Sequence, residues 1–113
     1  NKVFMTFDVC SRLKRALKNP KTADMDDLIG LQVFTHEVMH VGGEYNEVKT
    51  DCMAYQRNHR TAQFLGMSWG ESVRAAIYLH KRRDPNFVGY YSPECEPGGA
   101  LDEYLEDAVW ILN

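Results

Sequence analysis

Apolar and polar positions along this 113-residue chain change period several times, and each change marks an element. Lys2–Phe7 (KVFMTF) alternates and is rich in strand formers, so it is expected to form a short strand. From Val9 to Lys18 the period lengthens to that of a helix. Cys10, Leu13 and Leu17 share one side of a basic amphipathic segment, which Asn19-Pro20 ends. Asp24 is placed to cap the next helix, and the acids at 26 and 27 suit its positive end. That helix runs through Leu28, Leu31, Val33 and Phe34 to His36 and His40, where Gly42-Gly43 stops it. Gly30 in its interior costs about 1 kcal/mol relative to alanine. Close packing of another backbone at that point would account for it.

A second motif helix is expected from about Tyr45 to Leu65, ending at Gly66. Ser68 with Glu71 three residues on is a capping box for another helix, to about Arg83, with Val73, Ala76, Ile77, Leu79 and His80 able to face the core. Residues 84–100 are rich in Pro and Gly and read as an ordered loop. A last helical turn or two is expected around Leu101–Val109. The fold class is therefore mainly α with a minor β part: two antiparallel motif helices beside a short strand element.

Composition narrows the picture. At 44% hydrophobic and 26% charged residues the chain has the make-up of a globular domain, which excludes wholesale disorder. Its length suits one domain, 1–113, with a modest core. The first residue is Asn rather than Met and no signal peptide is visible, so the domain is read as trimmed from a longer chain. No apolar run is long enough to span a bilayer.

Residues 1–21 hold six Lys/Arg against one acid, Asp8, whereas residues 94–107 hold six acids and no Lys/Arg. These read as solvated faces that pair within the fold. No recognition motif accompanies the basic segment, so no nucleic-acid partner is expected. Cys10, Cys52 and Cys95 form no CxxC pair, which argues against a zinc knuckle. One disulfide plus one thiol suits an extracytoplasmic or secreted domain, the setting slightly favoured here; three thiols would suit the cytosol. Cys10 and Cys95, which flank the helical core in sequence, are the preferred pair.

The chemistry concentrates in residues 36–51, HEVMHVGGEYNEVKTD. His36 and His40 are one helical turn apart and project from the same face, so both imidazoles can close on one zinc ion at about 2.0–2.1 Å. Glu37 is angled to the side of that pair, where a carboxylate can deprotonate a metal-activated water. A catalytic zinc takes three protein ligands and keeps a fourth position open. Chain reversal at Gly42-Gly43 brings Glu47 opposite Met39, level with the histidines, and Asp51 one turn further on. Glu47 is the preferred third ligand, with Asp51 bonding the outward ring nitrogen of a ligand histidine; the two roles can also be exchanged.

HEVMH followed by NEVKTD resembles the zincin metallopeptidases whose third ligand is a glutamate in an E-x-x-x-D element, as in thermolysin-like and prenyl-protein (CAAX) proteases. That resemblance covers about residues 32–56. It implies a zincin-like fold, zinc on His36, His40 and Glu47, Glu37 as general base, and Asp51 as the carboxylate behind a ligand. Only six residues separate His40 from Glu47, far fewer than in those families. The metzincin element HExxHxxGxxH/D is the weaker comparison, because its third ligand would fall on Asn46. The chain as a whole is similar to small uncharacterised bacterial proteins, many from actinobacteria, that combine HExxH, a Gly turn and a late E-C-x-P-G-G-x-L-D segment.

The expected activity is hydrolysis of peptide bonds in a peptide or protein substrate, with zinc as cofactor. The alternative is a metal-stabilised helical module that binds a partner and catalyses nothing; a metal-free helical domain is a weaker third reading. His59 and His80 are expected to be structural or solvent-facing, Tyr45 and Tyr55 to pack, and Trp69 and Trp110 to anchor the core or its edge. Tyr90 and Tyr91 are as well placed as either histidine to stabilise an oxyanion.

Overall fold

A computed structural model describes residues 6–110. They form five helices: α1 (Phe7–Lys18), α2 (Met25–Val41), α3 (Glu47–Tyr55), α4 (Asn58–Phe64) and α5 (Trp69–Lys81). The protein is mainly helical, and no strand occurs among the described residues. Most of the expected Lys2–Phe7 strand lies outside them. Its end is helical: Thr6 caps α1 by accepting from Val9 N at 3.2 Å, and Phe7 opens the helix.

Helix α2 forms the spine. Asp24 caps it through Asp27 N, Asp26 and Asp27 occupy its first turn, and Leu28 and Leu31 are fully buried. The close approach expected at Gly30 is present. A Cβ there would sit 2.9 Å from Leu13 N and 3.0 Å from Val9 O, both backbone atoms of α1. Neither can rotate away, so the two helices would have to separate. Gly30→Ala is therefore expected to destabilise the fold by about 1–3 kcal/mol, in spite of the roughly 1 kcal/mol that alanine gains in helix propensity. A urea midpoint at or above that of the wild type would contradict this packing.

Gly42 and Gly43 end α2, the latter at φ 109°, a conformation that suits glycine. Asn46 then caps α3 by accepting from Lys49 N at 2.9 Å. Cross-contacts pair His40 with Glu47, His36 with Asp51, and Gln32 with Asp51. One helix is read backwards as the other runs forwards, so α2 and α3 are an antiparallel hairpin.

The single helix expected from Tyr45 to Leu65 is two. Arg57 leaves helical geometry at φ −124°, between α3 and α4. No Gly or Pro lies between Glu47 and Phe64, so the break comes from elsewhere in the chain. Buried Gln56 donates to Leu101 O at 3.1 Å and accepts from Glu103 N at 2.9 Å, while Arg57 pairs with Glu103. These bonds hold the segment after residue 100 against the break. They also account for a second correction: Leu101–Val109 is irregular with isolated turns, not helix, with Tyr104 N bonded to Asp102 Oδ1 at 2.7 Å and Tyr104 at φ 54°.

Helix α5 starts at the expected capping box, with both reciprocal bonds between Ser68 and Glu71 formed, and it ends at Lys81. Ala76, Leu79 and His80 are buried, and Val73 and Ile77 half-buried. Acidic residues of the late segment pair within the fold, Glu103 with Arg57 and Asp107 with Arg60.

The disulfide joins Cys52 to Cys95, with 5.5 Å between their Cα atoms, and Cys10 is a free, half-buried thiol. The Cys10–Cys95 pairing is thus corrected. Cys10 rides on α1, which packs on α2. Cys95 instead lies by the end of α5, where its carbonyl accepts from His80 and Arg83.

Candidate metal centre

The hairpin brings His36, His40, Glu47 and Asp51 together, as the spacing suggested. Glu47 Oε1 lies 2.5 Å from His40 Nε2 and 3.3 Å from His36 Nε2. On the other side of each ring, Nδ1 meets an acceptor. His36 Nδ1 is 3.1 Å from Asp51 Oδ1, and His40 Nδ1 is 2.7 Å from the Glu44 carbonyl. A carbonyl or carboxylate can only accept, so both rings donate through Nδ1. In the neutral rings, both Nε2 lone pairs then face one carboxylate oxygen. Three electron-rich atoms cannot rest against one another without positive charge between them. Protons or a metal cation must supply it.

The donor set suits zinc: two imidazoles and a carboxylate, each imidazole backed by an acceptor that fixes its tautomer. Tetrahedral zinc with bonds of 2.0–2.1 Å separates two ligand atoms by about 3.3–3.4 Å. The His36–Glu47 distance already matches this. The His40–Glu47 contact must open by under about 1 Å, which a rotation of the partly exposed Glu47 side chain can supply. Asp51 meets His36 at the far ring nitrogen, which is where a buttressing carboxylate belongs.

Charge at the site follows this arrangement. Burial opposes protonation of His36, but the Asp51 and Glu47 carboxylates outweigh it and hold its pKa above the ordinary value. Partial burial likewise pushes Glu47 up. The Tyr90 hydroxyl and the two imidazoles more than offset this, leaving Glu47 below the usual carboxylate range.

Glu37 is half-buried and has one carboxylate oxygen within 4.8 Å of ligand nitrogens of His36 and His40. It makes no hydrogen bond or ion pair among the described residues. Beside it opens a cleft of about 370 Å³. Met25, Ile29 and Val33, spaced one helical turn apart along α2, form an apolar wall that leads to Glu37. Tyr55, Phe87 and Tyr90 also line the cleft, with the charged run Arg82, Arg83 and Asp84.

The structure separates the two tyrosines that the sequence left equivalent. Tyr90 lines the cleft with its ring 5.8 Å from that of His36, and the nearby Glu47 carboxylate raises its pKa. Tyr91 lies outside the cleft, under the Arg83 guanidinium. His59 and His80 are buried away from the cleft, His59 bonded to Asp107 and His80 to the Cys95 carbonyl. Tyr55 and Trp110 pack in the core as expected, and Trp69 stands edge-on to His59. Tyr45 does not pack; it is 78% exposed.

Sequence reasoning missed Gln32 and Asn58. Gln32 Nε2 donates to Asp51 Oδ1 at 2.9 Å, and Gln32 Oε1 accepts from Asn58 Nδ2 at 2.6 Å. A signal for Gln32 was present, since it is the polar residue one turn before His36 in an otherwise apolar stretch. No family model, curated protein or solved structure matches this chain.

Proposed function

We propose that this domain is a zinc-dependent metallopeptidase of zincin-like design. The observation that carries the reading is the convergence of two imidazole lone pairs and a carboxylate beside Glu37, which has no partner among the described residues, at the head of a largely apolar cleft. His36, His40 and Glu47 would hold the metal. Bound zinc would supply Lewis acidity towards a substrate carbonyl and acidify the attacking water.

Glu37 takes the proton from that water and returns it to the leaving nitrogen. Asp51 keeps His36 in the tautomer that presents Nε2. The Met25–Ile29–Val33 face seats an apolar portion of the peptide and excludes water from one side of the scissile bond. Tyr90 is the residue positioned to donate a hydrogen bond to a substrate oxygen once Glu47 turns to the metal. The buried disulfide supports an extracytoplasmic setting. Among the described residues no helix is long and apolar enough to cross a membrane.

One observation favours the rival, a metal-stabilised binding module: among the described residues no strand edge borders the cleft to hold substrate by strand addition. Metal content by elemental analysis, on protein purified without a metal-affinity tag, tests the centre common to both. About one zinc per chain is expected. Glu47→Ala should abolish stoichiometric binding, whereas Asp51→Ala should weaken it about 10–100-fold. Absence of metal after zinc is added would sink both readings. The reverse order of the two variants would exchange the roles of Glu47 and Asp51.

A further inference from the structure

We infer that Gln32, held from behind by Asn58, is a positioning residue that sets the Asp51 carboxylate, and through it the His36 ring, before any metal arrives. The inference rests on the metal site proposed above.

Gln32 sits one turn before His36 on α2 and is 4% exposed. Its amide has one workable orientation. Nε2 donates to both Asp51 Oδ1 and Asp51 O, at 2.9 and 3.2 Å. Flipping the amide would set its oxygen against two acceptors. With Nε2 so directed, Oε1 faces fully buried Asn58, which must present Nδ2 to it. Asn58 Oδ1 is consequently left without a donor among the described residues. Burying an amide oxygen unpaired is unfavourable. The arrangement accepts that cost to complete a directional chain, Asn58 to Gln32 to Asp51 and from His36 to the same Asp51 oxygen.

The chain also uses the break between α3 and α4. Asn58 opens α4, immediately after the residue that leaves helical geometry. Gln32, Asp51 and Asn58 thus tie together the three helices α2, α3 and α4 at one point. Asp51 Oδ1 receives two N–H groups, one from Gln32 and one from His36, which leaves it little freedom to rotate. A fixed Asp51 holds the His36 ring plane, and the ring plane aims Nε2. Gln32 borders the cleft but is almost wholly buried, and in this scheme it acts on the metal site only through Asp51.

The test is zinc affinity, measured by competition with a chromogenic chelator, together with the melting temperature of the metal-free protein. Wild type, Gln32→Met, Asp51→Ala and the double variant form a cycle. Gln32→Met is expected to weaken zinc about tenfold, the lower end of the effect of removing a partner behind a ligand. In the Asp51→Ala background it should weaken zinc no further, because its route to the metal has gone. Asn58→Ala approaches the chain from the far end and should weaken zinc about threefold, which keeps the test available if Gln32→Met does not fold.

Unchanged affinity in Gln32→Met, or in Asn58→Ala where that variant stands in, with only a lowered melting temperature, would reduce the chain to fold support and overturn the inference alone. A tenfold loss that persists without Asp51 would overturn it too. Wild-type protein that binds no zinc would overturn the metal site and the inference together.

Discussion

Replacing Glu37 by glutamine is expected to leave zinc content at the wild-type level while cutting peptide hydrolysis by about 10²–10⁴-fold. Glutamine has nearly the shape of glutamate, so the half-buried position keeps its packing. Glu37 has no hydrogen-bond or ion-pair partner among the described residues, so no structural bond is lost. What disappears is a group that can hold a proton. His36, His40 and Glu47, the residues proposed to hold zinc, are untouched. The check is to measure elemental zinc and turnover of a casein or mixed-peptide substrate on the same preparation. Hydrolysis at the wild-type rate would remove Glu37 from the mechanism. Loss of zinc together with activity would instead make Glu37 a ligand. If neither protein cleaves anything while both bind zinc, the binding module becomes the better reading.

The largest effect on stability is expected from removing the disulfide. Cys52 and Cys95 are separated by 43 residues, and both are buried. Opening a loop of that length restores about 4 kcal/mol of chain entropy to the unfolded state. Small domains have only about 5–15 kcal/mol in total. Cys52→Ala/Cys95→Ala should therefore unfold at a much lower denaturant concentration than the wild type, with Cys10 kept intact in both. The loss reaches the cleft, because Tyr90 precedes Cys95 by five residues on the loop that the bond ties to α3. A denaturation midpoint within error of the wild type would show that Arg83, His80 and Gln56 hold that loop unaided.

What was legible in the sequence was local. Asp24, Ser68 and Glu71 act on backbone groups within one turn of themselves, so their caps could be read directly. Gly30 was legible as an anomaly, a residue unfavourable in a helix unless another backbone needs the space. The meeting of Glu47 and Asp51 with the histidines required only a Gly turn and helical periodicity. The missed features depend on residues far apart in the chain. The break at Arg57 is made by bonds from Gln56 to Leu101 and Glu103, and helical periodicity continues through it. The same contacts keep Leu101–Val109 from forming a helix. Which cysteines pair depends on which elements meet, and Cys10 faced the wrong neighbour. Tyr90 and Tyr91 are adjacent, and only the course of the loop determines which one reaches the cleft.

The tightness of the Gly42-Gly43 turn bears on when the site can assemble. Histidines and carboxylates separated by so short a reversal, as the proposed ligands are, lose little entropy on being brought together. Their contacts join two consecutive helices, whereas Phe87 and Tyr90 of the cleft lie forty or so positions further along the chain. The hairpin, with Asn58 of α4 behind it, can thus present the proposed cation site while the segment after α4 is still unfolded. Metal captured at that stage would favour the native pairing of α2 and α3 from the start. The later loop would then close over a centre already formed, adding Tyr90 and the Cys52–Cys95 bond last.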